Sequence, residues 1–196
     1  MSWKPLDCRE VARLLDSVPF PWWISGGWAI DLFLGRETRR HGDVEVGVLR
    51  RDQCALYEKL ADFEIHAARA GTLTELMPEV RREGCALVDH GFWCRPRGTE
   101  SWTLELLLEE SDGEDWVFRR DARVRRPLRS VVGRTTDGVP FVVPEIQLLF
   151  KAKEPRPRDD LDFENARPAL SPHQRDWLAE ALRLVHPGHA WLDQLA

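Results

Sequence analysis

Gly26-Gly27-Trp28-Ala29-Ile30-Asp31, followed by His41-Gly42-Asp43-Val44-Glu45-Val46, is the stretch on which the reading of this chain turns. Asp43 comes sixteen positions after Gly27. Asp43-Val44-Glu45-Val46 alternates acidic and apolar residues. Strand side chains repeat with period two, so Asp43 and Glu45 share one face and Val44 and Val46 the other. Two carboxylates on one face repel unless a cation lies between them. Mg²⁺ suits that position, because it takes hard oxygen ligands and binds through one or two carboxylates plus substrate phosphates. The glycine pair marks a strand-to-helix turn, where bare backbone N–H groups and a helix N-terminus receive an anion. A phosphate cradle upstream of a cation-binding strand is a layout for nucleotide chemistry. Alone, an Asp-x-Glu strand would read as the wet face of a half-exposed sheet. The upstream glycine pair tips the balance.

Working outward, residues 22–24 form a short buried strand running into Ser25-Gly26-Gly27. Residues 27–34 read as a helix closed by Gly35, 37–42 as a charged loop, 44–49 as a strand and 52–61 as a helix. Residues 6–18 carry a rough helical stripe (Leu6, Val11, Leu14, Leu15) that Pro19-Phe20-Pro21 ends. Residues 63–67, 92–95 and 102–108 read as strands, while 71–84 show no clear period. Residues 130–143 have a hairpin pattern with Asp137-Gly138 at the turn. Pro144 opens a helix to about residue 153. Residues 159–167 are helical, Ser171-Pro172 cap and start a helix through residue 185, and Pro187 opens a last short one. Helices and strands thus mix up to residue 143 and only helices follow. The fold class is α+β, with residues 1–143 as an α/β core carrying the site and residues 144–196 as a small C-terminal helical subdomain.

The composition sets bounds. The 196 residues, 43% of them hydrophobic, suffice for one core with a helical appendage and exclude a disordered chain. No apolar run reaches the ~18–20 residues of a membrane helix, and the start Met1-Ser2-Trp3-Lys4-Pro5 lacks a signal-peptide core. Cys8, Cys54, Cys85 and Cys94 show no metal-binding spacing, so they read as reduced, mostly buried thiols of a cytoplasmic protein. A net charge of −5 disfavours general nucleic-acid binding. Five acids between residues 109 and 115 are followed by seven arginines between 119 and 134. The favoured reading is two solvated, mutually compensating segments. The other is an acidic rim for a polycationic substrate beside a basic lip for polyphosphate or RNA.

Ser25-Gly26-Gly27, a helix and Asp43-x-Glu45 resemble the signature of the nucleotidyltransferase superfamily, which includes DNA polymerase beta-like enzymes. The longer run from Gly26 through Leu34-Gly35-Arg36-Glu37-Thr38-Arg39-Arg40 to Asp43 is similar to the branch of aminoglycoside 2''-adenylyltransferases and lincosamide nucleotidyltransferases. Weaker similarity continues through residues 90–96, 102–108 and 144–151. The resemblance implies a mixed sheet with helices and a nucleotide held between core and helical part. It implies that a nucleoside monophosphate, from ATP or another NTP, passes to a hydroxyl of a small molecule, most simply an antibiotic.

Under that resemblance Asp43 and Glu45 ligate Mg²⁺. Glu105, alone between leucines, is a third metal ligand or the base that activates the acceptor; many related enzymes carry Asp there. Ser25, Gly26 and Gly27 receive phosphates, and Lys151 contacts the triphosphate. Arg39, Arg40 and His41 hold the leaving pyrophosphate or are solvated loop charges. Lys153 reads as a helix C-terminal cation, and Asp159, Asp160 and Asp162 as acids of a helix first turn that pack the helical part on the core. Trp93, Trp102 or Trp116 would stack a base or drug ring, the other tryptophans being core. Two other readings remain at this point. One is a nucleotidyltransferase acting on tRNA or protein; the other is a non-catalytic relative that binds nucleotide or a small ligand. The chain is read as a monomer or homodimer.

Overall fold

The computed structural model describes residues 2–69, 71–76 and 89–195. Cys85 and most of the aperiodic stretch after residue 76 lie outside the described residues. Asp7 caps α1 (Cys8–Leu14) through a reciprocal capping box with Glu10, and Val11 and Leu15 turn its apolar side inward. The chain then enters β1 (Trp22–Ser25), α2 (Gly26–Leu34) and β2 (Glu45–Leu49). Gly35 ends α2 in the left-handed region at φ 67°, where a residue without Cβ is unstrained. A 3₁₀ turn leads to α3 (Gln53–Lys59), then β3 (Phe63–Arg69), β4 (Thr72–Glu75), β5 (Gly91–Pro96) and β6 (Leu104–Asp112).

Two short strands that the charge-run reading passed over follow: β7 (Asp115–Val117) and β8 (Arg125–Pro127). They form a meander on the far end of β6. Arg125 faces outward and pairs across strands, meeting Asp112 at 2.7 Å and Asp115 at 3.4 Å, while Arg126 turns inward. Trp116 turns inward too and is fully buried. The expected hairpin is β9 (Val132–Arg134) and β10 (Pro140–Val142), with Gly138 at φ 90° in its turn.

Described strands end there and helices follow: α4 (Pro144–Lys151), α5 (Pro157–Ala166), α6 (Pro172–Val185) and α7 (Leu192–Leu195). Ser171 and Gln174 form a capping box on α6. The last helix starts later than Pro187 suggests, because Gly188 at φ 83° turns the chain first. None of the described helices is long and apolar enough to cross a membrane.

The α+β expectation holds. The strands lie in the order β4-β3-β5-β6-β2-β1-β10-β9, with β7 and β8 off the path. β2 runs parallel to β6 and β1 parallel to β10; the remaining pairs are antiparallel. Val44, Val46 and Val48 are wholly buried on one face of β2. Burying each such side chain contributes about 1.5–3 kcal/mol. Phe163 stacks flat on Trp191 with ring centroids 4.3 Å apart, joining α5 to the C-terminal turn. Cys8 and Cys94 are buried thiols, and Cys54 is exposed.

Candidate active site

Strand register builds the site. Ser25 pairs with Glu45, Glu45 with Glu105, and Glu105 with Trp93, a single row across β1, β2, β6 and β5. Asp43 lies two residues before Glu45, just ahead of the strand. Residues far apart in sequence therefore meet at one level of the sheet.

Glu45 and Glu105 respond to burial and to neighbouring acids. Burial raises the Glu45 carboxyl, and Asp43 raises it further against the pull of Lys151, Arg156 and Arg158. Glu105 is pushed up to about 8, first by burial and then by Glu45 and Asp43, opposed by a hydrogen bond with Trp93. Among the described residues, neither Asp43 nor Glu45 has a side-chain hydrogen bond or ion pair. Nor do any three acid, histidine or cysteine side chains among them gather closely enough to hold a metal by themselves.

The glycine turn does more than expose backbone. Gly26 adopts φ 69°, and a Cβ there would overlap Glu45 Oε2, so glycine lets the carboxylate lie against the turn. Its N–H donates to Gln147 Oε1 at 2.8 Å, tying the turn to α4. A Cβ at Gly27 would overlap Arg39 Nη2 and the His41 ring.

Those loop residues are engaged internally. His41 Nε2 lies 2.6 Å from Asp31 Oδ2 with its side chain buried, and its ring packs on Trp28 at 4.3 Å. The Thr38 hydroxyl donates to the other Asp31 oxygen. Arg39 forks onto Asp162 at 2.8 and 2.9 Å. Arg40 is exposed and lies outside the cleft lining.

Lys151 sits 2.8 Å from Asp159 and 2.9 Å from Asp162, and Arg156 also bonds Asp159 at 2.7 Å. Burial works against the Asp159 charge, but the Arg156 and Lys151 bonds outweigh it and hold the carboxyl well below the usual range. Asp162 is held low by Arg39 and Lys151 against the same burial. Asp160 accepts from the Trp191 indole at 2.9 Å. These acids clasp the helices to the core.

A cleft of about 370 Å³ opens between sheet and α4. Ser25, Glu45 and Lys151 line it together with Trp23, Leu107, Glu109, Trp116, Ile146 and Phe150, and Arg119, Arg120 and Lys153 also lie along its wall. Trp93 and Trp102 pack against each other and lie outside that lining. The charge-run reading left Glu109 on a solvated rim; it is buried in the cleft and accepts from Trp116 Nε1 at 3.0 Å. Strand alternation holds the signal, since Glu105, Leu107 and Glu109 share a face.

The arginine segment is largely spent on the protein itself. Arg126 pairs with buried Glu145 at 2.8 Å, Arg123 with Asp121 at 2.6 Å, and Arg120 donates to the Phe150 carbonyl.

The model of the aminoglycoside-2''-adenylyltransferase family matches residues 7–165. The chain belongs to that family. Curated 2''-aminoglycoside nucleotidyltransferases from Escherichia coli and Klebsiella pneumoniae are 38% and 35% identical to it over 75 residues. That match takes in 37% of this chain and 42% of each relative, so the aligned part spans less than half of their length. The fold matches those of two solved adenylyltransferase structures. One is the lincosamide antibiotic adenylyltransferase LnuA bound to lincomycin, at TM-score 0.58 and 16% identity, covering 87% of this chain and all of that one. The other is ANT(2'')-Ia in complex with adenylyl-2''-tobramycin, at TM-score 0.56 and 17% identity, covering 87% and 92%.

Proposed function

We propose that this family member is a nucleotidyltransferase that moves a nucleoside monophosphate, AMP from ATP in the simplest case, onto a hydroxyl of an aminoglycoside- or lincosamide-type antibiotic. The observation that carries the reading is the row Ser25–Glu45–Glu105, joined by Asp43. It is a set of acids with no ion-paired cation among the described residues, brought together beside a cleft large enough for a ligand. The solved relatives hold lincomycin or an adenylylated tobramycin, which supports the acceptor class.

Asp43 and Glu45 offer hard oxygen donors that suit Mg²⁺ completed by substrate phosphates. When bound there, the ion supplies charge neutralisation on the transferring phosphates. Glu105 takes the proton from the attacking hydroxyl as its oxygen bonds the α-phosphorus and the bond from phosphorus to the pyrophosphate oxygen breaks, pyrophosphate leaving toward Ser25, Gly26 and Lys151; a carboxyl near 8 is matched to that task around neutral pH. Trp93 orients it. Gly26 and Gln147 set the position of the turn and of Glu45, and Ser25 offers a hydroxyl donor beside them. Lys151 contributes positive potential toward Glu45 while bonded to its two aspartates. Catalysis is then mainly positioning and electrostatics. The reading treats residues 1–143 as the site-bearing core and 144–196 as its helical cover, in a cytoplasmic setting where ATP and Mg²⁺ are present.

The test is single-turnover transfer from labelled ATP to a panel of aminoglycosides and lincosamides with Mg²⁺, comparing wild type with Asp43→Asn. Labelled antibiotic from wild type alone is the expected result. Nucleotide bound tightly with no product across the panel would overturn the transfer reading and leave a binding protein.

A further inference from the structure

Glu109 has no part in the chemistry above, yet it is a carboxyl on the floor of the cleft. It is 5% exposed. Its Oε2 accepts from Trp116 Nε1. Among the described residues Oε1 accepts no hydrogen bond; it is not among the buried unpartnered atoms, so with Glu109 on the cleft lining it is open to a donor that a ligand brings. Strand register puts Glu109 opposite Leu49, four residues along β6 from the Glu45–Glu105 level. That is about 13 Å along the strand. A nucleotide bridges that kind of distance between its base edge and its phosphates. Trp116 is bonded to Glu109, and Trp23, Leu107, Ile146 and Phe150 add flat or aliphatic surface to the same cleft. Such walls fit the faces of a heterocyclic base.

Two occupants would satisfy Oε1, a base amine or an ammonium of a polycationic antibiotic. Charge decides between them. Arg119, Arg120 and Lys153 line the same cleft, and Arg119 and Arg120 sit over the Phe150 ring at 5.6 and 5.3 Å. With Lys151 and Arg156 on the same lining they outnumber its acids, Glu45, Glu109, Glu154 and Asp159, a balance that favours a neutral base with anionic phosphates over a polycation.

Resting on the nucleotidyltransferase reading, we infer that Glu109 is the residue that reads the base of the donor nucleotide, its Oε1 accepting a hydrogen bond from the exocyclic amine of a 6-aminopurine. The Trp116 bond fixes the carboxyl so that one oxygen faces the base. Glu109→Gln then has a defined outcome. The amide oxygen must take the Trp116 N–H, because two donors cannot face each other in a buried site, so the amide NH₂ turns toward the cleft. A donor there matches the 6-oxo group of hypoxanthine and opposes the 6-amino group of adenine.

The experiment is calorimetric binding of ATP, inosine triphosphate and purine riboside triphosphate in Mg²⁺ to wild type, Glu109→Gln and Glu109→Leu, with melting curves to confirm folding. At pH 8, where the Glu109 carboxyl that burial pushes up to about 7 is ionised, wild type is expected to bind ATP roughly tenfold tighter than the purine riboside analogue, the worth of one hydrogen bond to a charged acceptor. Glu109→Leu brings that ratio to about one, and Glu109→Gln moves the preference to inosine triphosphate. A folded Glu109→Leu that keeps the wild-type ratio overturns the assignment, as does a loss in kanamycin or tobramycin affinity with nucleotide ratios unchanged. If wild type binds all three triphosphates equally, the base-reading role fails while the nucleotidyltransferase reading stands. If wild type binds none of them, with or without acceptor, both fail.

Discussion

Two groups of acids flank Lys151 and meet opposite fates. Asp159 and Asp162 are buried and saturated by Lys151, Arg39 and Arg156 at 2.7–2.9 Å. Asp43 and Glu45 both raise Glu105, and although Lys151, Arg156 and Arg158 act on Glu45 through space, among the described residues no cation is ion-paired to either acid. In the sequence both groups are closely spaced acids. The difference teaches that counter-charge, more than acid count, separates a structural clasp from a site awaiting a ligand.

Exchanging charge for amide in each group tests that contrast. Asp43→Asn or Glu45→Gln should cut transfer about 10³-fold, the scale of losing a preorganised electrostatic contact, with the melting temperature unchanged or raised. Activity within tenfold of wild type in either variant would break the comparison. Asp162→Asn should act the other way, removing about 3–5 kcal/mol of stability because Lys151 and Arg39 lose a buried partner. Urea unfolding reads this directly; a loss under 1 kcal/mol would mean the clasp is not structural.

Acid and alkali should separate the groups further. Asp159 and Asp162 are depressed in the folded state, so the stability they contribute is full above the ordinary carboxylate range near pH 4 and is lost as pH falls below it. Glu105 is raised, so its contribution is full below about pH 4.5 and is lost as pH rises through about 8. Glu105→Gln should therefore stabilise the protein at pH 9, by on the order of 1 kcal/mol, and leave it unchanged at pH 4. Equal effects at both pH values would show that Glu105 is not held neutral by its surroundings. The smallest effect belongs to pairing without burial. Arg9 and Asp137 bond at 3.0 Å with side chains 75% and 46% exposed, and Arg9→Ala should cost less than about 0.5 kcal/mol.

Much of the local structure was legible. Alternation at Asp43 to Val46, the Gly35 stop, the Asp137-Gly138 turn and the Ser171-Pro172 start each express a short-range rule, and each element formed within a few residues of its expected bounds. β7 and β8 escaped because three-residue strands carry too few side chains to show a period, and charges dominate both. The pairing of His41 with Asp31 and of Arg39 with Asp162 was equally hidden. Two positions ten residues apart and two positions 123 apart carry no mark that they will meet.

The sequence by itself determined the family block, the strand face that Asp43 and Glu45 share, and the α+β order of elements. These depend on residue type and spacing along a few turns of chain. Only the tertiary structure decided that Glu105 stands beside Glu45, that Glu109 lines the cleft, and that Lys151 is already bonded to two aspartates. Those facts depend on strand register and on which charges find partners, and both are settled by packing between segments that the chain keeps far apart.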